Sequence, residues 1–199
     1  MIVKSVLAVL VSYLLGSFSF SYWLARILKR GDIRQQGSGN AGATNMLRVV
    51  GKGPAAAVFV LDALKGMAAV GVAALLGVGP AATMMSGVAA IIGHNWPIFL
   101  GFRGGKGIAT TIGVMVPLAF LAALVSGVAA ILAIIISRYV SLGSLIFAAA
   151  LPVMIAVFDY PTPYIYISLL VTLMAFMRHA ANIKRLMKGT ESKIGTAKK

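Results

Sequence analysis

Long apolar runs alternate with short polar segments along the 199-residue chain. The first run, Val6 to Leu28, leads into the polar segment Lys29 to Pro54. It lacks the basic flank and small-residue cleavage site of a removable signal peptide, so it reads as a retained helix. The runs Ala55 to Leu76 and Ala81 to about Leu100 flank a tight GVGP turn. Each approaches the roughly 20 residues that a membrane-crossing helix needs. After the loop GFRGGKG comes Ile108 to Ser137, which as one helix would be roughly 45 Å long, too long for one crossing and short for two. Ser141 to Phe158 and Tyr164 to Met177 follow, separated by DYPTP, and a basic tail begins at Arg178.

Composition sharpens this pattern into a class. Sixty per cent of the residues are hydrophobic and 11% are charged, against about 25% charged in an ordinary soluble domain. The chain is expected to be an all-α, polytopic membrane helix bundle. The absence of cysteine excludes disulfides, thiolate nucleophiles and cysteine-based zinc sites. A net charge of +14 could suit nucleic acid, but apolar runs of this length do not belong to a soluble basic domain. A lipid surface or an anionic substrate fits the charge instead, with no nucleic-acid partner.

Charge also sets the expected orientation, because basic residues gather on the cytoplasmic side of membrane proteins. If Ile108 to Ser137 crosses twice, turning near Pro117, then Lys29 to Lys52, Arg103, Lys106, Arg138 and the tail all face the cytoplasm. Lys4 is then the only one of 18 basic residues left outside. The expectation is about seven transmembrane helices, N-terminus out and C-terminus in, or five if both late crossings are partial, forming one domain over residues 1–199. The recurring GVAA reads as small-residue helix packing and not as an internal repeat.

Three polar segments then share one side of the membrane: Arg34 to Lys52, His94 to Thr111 and Arg178 to Lys193. In the first, GSGNAGATN (Gly37 to Asn45) supplies glycines and small polar groups that turn backbone N–H groups toward an anion. Thr44 or Asn45 is expected to cap a short helix that carries Arg48 one turn on. In the second, Gly104, Gly105 and Gly107 surround Lys106, so N–H groups and an ammonium can reach one phosphate. The likeness to a Walker loop is superficial, since Gly107 follows the lysine and no strand precedes the loop. In the third, Arg178, His179, Asn182 and Arg185 fall within a roughly 120° arc if the helix continues. Asp62 and Lys65, three residues apart, read as a structural ion pair. His94 is expected to cap or orient its loop, and Trp96 to anchor at the interface.

The segments GSGNAGATNMLRVVGKG, DALKG, GHNWPIFLGFRGGKGIAT, RYVSLGS and RHAANIKRLMKGTESKIG together resemble the bacterial membrane-integral acyl-phosphate:glycerol-3-phosphate acyltransferases along the whole chain. The resemblance implies transfer of a fatty acyl group from acyl phosphate to the 1-hydroxyl of sn-glycerol 3-phosphate. Lysophosphatidic acid and inorganic phosphate are the products, at the entry to phospholipid synthesis. It also implies a location in the bacterial cytoplasmic (inner) membrane, an active site at the cytoplasmic face, and a functional link to the enzyme that makes acyl phosphate. Members often carry a charged pair after the histidine of the third motif, where this chain has Ala180 and Ala181.

The residue chemistry is compatible with that activity. Acyl phosphate is a mixed anhydride with phosphate as leaving group, so direct attack needs orientation and no enzyme nucleophile. No cofactor or metal is expected. Two phosphates at one site require several cations and N–H donors. The HxxxxD pattern of other glycerolipid acyltransferases is absent, since Phe99 lies five after His94 and Lys184 five after His179. The catalytic candidates are His179, Lys106, Arg48 and Ser38. Phosphate or substrate contacts are expected from Asn40, Thr44, Asn45, Gly104, Gly105, Gly107, Thr110 or Thr111, Ser141 or Ser144, and Asn182. The hydroxyl proton goes to His179 or to a substrate phosphate. A transporter for a phosphorylated solute would also break its helices with glycine, but it would place polar groups at the midplane between inverted repeats. A lipid-binding scaffold accounts for the tail but not for GSGNAGATN.

Overall fold

The computed structural model describes residues 1–195, all helix, turn and loop, with no strand among them. Ten α-helices follow the apolar runs: α1 (Ile2–Ser17), α2 (Phe20–Ile27), α3 (Ala43–Val49), α4 (Lys52–Leu75) and α5 (Pro80–Asn95). After these come α6 (Ile108–Leu118), α7 (Phe120–Ser137), α8 (Val140–Val157), α9 (Thr162–Arg178) and α10 (Ala180–Met187). The stretch 2–27 (α1 with α2), α4, α7 and α8 are long and apolar enough to cross a membrane. Taken as one broken span, α9 with α10 makes a fifth.

Several boundaries depart from the sequence reading for local reasons. The first run breaks at Phe18, whose extended backbone (φ −72°, ψ 117°) separates α1 from α2, and Ser19 then accepts a bond from the N–H of Tyr22 to start α2. The third run ends at Asn95, five residues early, because Pro97 cannot continue a helix. The long run does divide, at Ala119 (φ −150°, ψ 63°), just past Pro117.

The chain forms two compact units, Met1–Leu118 and the remainder from Ala119. In the N-terminal unit α1 lies chiefly against α5, and α4 against α6. Both seams are closed by glycine. A Cβ on Gly16 would run into the carbonyl of Ala90, and one on Gly93 into the carbonyl of Tyr13. Likewise Gly66 meets the Thr110 carbonyl and Gly113 the Ala63 carbonyl. Close backbone approach of this kind replaces the hydrophobic drive that lipid cannot supply between apolar helices. In the C-terminal unit α8 packs between α7 and α9, with Gly143 set against Ile134 and the Ala130 carbonyl. The outer faces stay apolar: Ile131, Leu132, Ile135 and Ile136 of α7 are all exposed, as lipid-facing side chains should be.

The seams predict a clear asymmetry between glycines. Gly113→Leu has no flexible neighbour to displace, so it should cost at least the ~1–3 kcal/mol typical of an overpacked core. Gly127→Ala, where a Cβ meets nothing within 4 Å, should leave the protein as stable or slightly more so. Thermal unfolding in detergent measures both, and equal melting temperatures would remove the α4–α6 seam as a source of stability.

Candidate functional site

The first polar motif is a loop organised from within. Its hub is Asn45, 1% exposed. The Asn45 side-chain oxygen accepts the N–H of Ser38 at 2.8 Å, and its NH2 donates to the carbonyls of Ile33 and Gln36, both at 3.0 Å. Those bonds fold the segment 33–38 around one amide. Gly37 sits at φ +60° with its α-carbon against that side chain, where any Cβ would collide with the Asn45 oxygen. Asn45, expected to hold phosphate, thus has its amide committed to the loop itself. Nor does Thr44 or Asn45 cap the helix. The cap is Gly42, and α3 starts at Ala43. Ser38 lies exposed on the loop, Asn40 and Thr44 are partly exposed, and Arg48 is near the end of α3.

Beside this hub, Asp32 and Arg34 make a fork. Arg34 Nε lies 3.0 Å from Asp32 Oδ1 and an Arg34 terminal nitrogen 2.8 Å from Oδ2, while the Arg34 N–H also donates to Oδ1. Arg34 stacks over the Tyr22 ring at 5.1 Å and donates at 2.7 Å to the carbonyl of Leu100, in the loop of the second motif. One guanidinium thereby ties the two loops together. The Arg34 hydrogen bonds hold the Asp32 carboxyl below its ordinary value of 3.8 despite partial burial, and Arg34 is raised in turn. In the sequence Arg34 opens the first polar segment and counts among the cytoplasmic charges, with no partner assigned to it. The Asp-x-Arg spacing was the available signal.

The second motif is a glycine strap laid on the C-terminal end of α5. The Gly105 N–H donates to the His94 carbonyl at 2.9 Å. A Cβ on Gly104 would strike that carbonyl, and one on Gly105 would strike the imidazole itself. Gly107, at φ +84°, packs against the Asn95 amide. These glycines are therefore required first by the strap's seat on His94 and Asn95, a reason independent of any phosphate. Lys106, between them, is partly exposed. Past the strap α6 begins, with Thr111 Oγ1 bonded to the Gly107 carbonyl at 2.8 Å and Thr110 Oγ1 buried without a hydrogen-bond partner. Asn95, wholly buried with its amide unpartnered, was not singled out from the sequence, although it adjoins His94.

The third motif, in the C-terminal unit, centres on Glu191. Its Oε1 accepts Ser141 Oγ at 3.1 Å and Asn182 Nδ2 at 2.8 Å, and its Oε2 accepts Arg185 Nε at 2.6 Å. Burial alone would raise the Glu191 carboxyl, but the bonds from Arg185, Asn182 and Ser141 together take it below its ordinary value of 4.5. Ser141 and Asn182, expected at substrate, are both engaged by this carboxylate. Glu191 is legible in the sequence as the one acid in the three motifs, but nothing there assigns it the role of hub. His179 is buried at the junction of α9 and α10, which bend by 62° there, so the single continuous helix expected to align Arg178 with Asn182 and Arg185 does not form. The ring's Nδ1 lies 2.7 Å from the Ala175 carbonyl, a bond that needs the proton on Nδ1 and so makes Nε2 the basic nitrogen of the neutral ring. Among the described residues, no three His or carboxylate side chains cluster to hold a metal ion.

Residues 6–189 match the family model for glycerol-3-phosphate acyltransferase. Glycerol-3-phosphate acyltransferases of Halalkalibacterium halodurans and Shouchella clausii are 55% and 52% identical to the chain, covering 96% and 98% of both partners respectively. The crystal structure of PlsY, an integral membrane glycerol 3-phosphate acyltransferase, in its glycerol 3-phosphate form superposes with a TM-score of 0.91 at 36% identity over 96% of each chain. Its lysophosphatidic acid form gives 0.88 at 35%.

The Glu191 hub predicts a pH signature. Its carboxyl is lowered by folding, so the stabilisation is complete above the unfolded value near 4.5 and is lost as pH falls through the lower folded value. Melting temperature should drop on acidification below about pH 4.5, and Glu191→Gln should start lower at neutral pH and show a shallower acid decline. Parallel curves for the two proteins would discount the hub.

Proposed function

Because the chain belongs to the glycerol-3-phosphate acyltransferase family, we propose that it transfers a fatty acyl group from acyl phosphate to the 1-hydroxyl of sn-glycerol 3-phosphate. The hydroxyl oxygen attacks the acyl carbon, the bond from that carbon to the phosphate oxygen breaks, and lysophosphatidic acid and inorganic phosphate leave. No covalent enzyme intermediate forms, and residues 1–199 act as one catalytic domain. The observation that carries this reading is the bracing of two cation-bearing glycine motifs by one Arg34–Leu100 bond. Such a pair of loops is suited to a reaction in which both substrates carry a phosphate.

Ser38, Asn40, Thr44 and Arg48 contact one phosphate while Asn45 holds their loop. Lys106 neutralises the other phosphate, with the N–H groups of Gly104 and Gly107 and the Thr110 hydroxyl around it, while the Gly105 N–H, expected there as well, stays on the His94 carbonyl. His179 presents Nε2 to the glycerol hydroxyl, either accepting its proton or orienting it while a substrate phosphate oxygen accepts. Ser141 and Asn182 support that histidine's segment through Glu191. The enzyme sits in the bacterial cytoplasmic membrane at the first step of phospholipid synthesis, supplied by the enzyme that makes acyl phosphate. About seven crossings, N-terminus out and C-terminus in, with the motifs at the cytoplasmic face, keep the positive charge inside. The break at Ala119 supports separate passage of α6 and α7, although the 11 residues of α6 cover only about half of a ~30 Å hydrocarbon core.

Purified protein given acyl phosphate and labelled glycerol 3-phosphate should form lysophosphatidic acid, and Lys106→Ala should lower turnover by about 10²–10³-fold with normal insertion. Solute uptake into vesicles without product would favour the transporter reading. Either His179→Gln or His179→Asn should keep measurable activity with a changed KM for glycerol 3-phosphate, since an amide can orient a hydroxyl but cannot take its proton. Loss of about a thousandfold in both with KM unchanged would make His179 the base. Cysteines placed at Ser38, Arg103 and Gly189 should react with an impermeant thiol reagent from the cytoplasmic side alone, and one at Thr162 from outside alone. Outside labelling at Arg103 would overturn the orientation.

A further inference from the structure

One turn of α4 carries the most deeply buried charges in the N-terminal unit. Asp62 is 1% exposed, Lys65 5%, and His94 of α5 6%. Lys65 Nζ lies 2.8 Å from Asp62 Oδ1, and His94 Nδ1 lies 3.5 Å from the same oxygen. Lys65 also donates at 2.8 Å to the carbonyl of Phe18, at the break between α1 and α2, and sits 5.8 Å from the centre of the Phe20 ring. On the far side of His94 the imidazole supports Gly105, whose N–H is bonded to the His94 carbonyl. Charges buried in a spanning helix are costly and mark function more often than decoration. Replacing a buried ion pair with well-packed apolar groups is often neutral or stabilising, so stability alone does not account for keeping one here.

We infer that Asp62, Lys65 and His94 are positioning residues that fix the height of the glycine strap bearing Lys106. The path is continuous. The Phe18 carbonyl fixes Lys65, Lys65 fixes the Asp62 carboxylate, the carboxylate fixes the rotation of the His94 ring through Nδ1, and the Nε2 edge of that ring is the seat of Gly105. None of the three touches a reacting atom in this account. Lys106 is separated from Gly105 by a single peptide, so a turned imidazole moves the ammonium relative to the phosphate it holds. Misplacement by about 1 Å can cost on the order of 10²-fold in rate. The inference rests on the phosphate role proposed for Lys106, but the seat of the strap can be measured without it.

The test is the double variant Asp62→Asn, Lys65→Met, which removes both charges at nearly constant volume and leaves every strap residue in place. Hydrogen exchange of the 101–108 segment should rise at least tenfold, while α7 and α8 exchange as in the wild type and the melting temperature stays within a few degrees. For acyl phosphate and glycerol 3-phosphate, kcat/KM should fall at least tenfold, with KM rising more than kcat falls. Unchanged strap exchange overturns the inference whatever the activity, as does a loosened strap with kinetics within twofold of wild type. If the double variant fails to fold, His94→Leu, which spares the ion pair, is judged on the same exchange and kinetic criteria, and His94→Asn, whose amide nitrogen replaces Nδ1, should restore part of the protection. Absence of acyl transfer in the wild-type protein would instead defeat the functional proposal, leaving the exchange comparison to decide the positional one.

Discussion

Backbone carbonyls released where helices break have no water to turn to in a chain this apolar, and the polar side chains are arranged to satisfy them. Lys65 takes the Phe18 carbonyl at the α1–α2 break, and Asn45 takes those of Ile33 and Gln36. Arg34 takes Leu100 and Tyr13 takes Trp96. In the C-terminal unit, His179 returns to Ala175 at the bend between α9 and α10. An unpaired polar group buried away from water costs several kcal/mol, so each irregular turn exists only with its side-chain partner. The residues that look like chemistry in the sequence are, in large part, what allows the loops to be loops.

Carboxylates are the second scarce resource. The chain has four acids against 18 lysines and arginines, and three of the four are each the centre of a polar cluster: Asp32 with Arg34, Asp62 with Lys65 and His94, and Glu191 with Arg185, Asn182 and Ser141. Each balances part of the positive charge within its own cluster.

The helices were legible in the sequence because twenty apolar residues in succession have few other options in a membrane, and the division near Pro117 followed from charge. The three motifs were legible as polar segments because glycine and small polar residues beside Arg or Lys stand out between apolar runs. Their internal wiring was not. Asn45 looks like a cap until the fold brings Ile33, Gln36 and Ser38 around its amide. The glycines of GFRGGKG look like room for phosphate until His94 and Asn95 are seen beneath them. The bend at His179 escaped notice because RHAANIKRL carries no proline or glycine. The deviation comes from a ring bonded to a carbonyl one turn back, which no periodicity records. Ion pairs three residues apart, such as Asp62 with Lys65, lie within the reach of spacing arguments. Contacts across many tens of residues, such as Arg34 with Leu100, do not.

The glycine seam between α1 and α5 also has a consequence in time. The surface of α1 around Gly16 and Tyr13 is shaped for Ala90 and Gly93, residues made long after α1 itself. At ~5–20 residues per second of synthesis, roughly 4–15 s pass between the two. During that interval α1 must rest in the bilayer or against the insertion machinery with its small-residue groove uncovered and the Phe18 carbonyl waiting for Lys65. The order in which the chain emerges is therefore not the order in which it assembles, and the N-terminal helix is held as an unfinished half until its partner arrives.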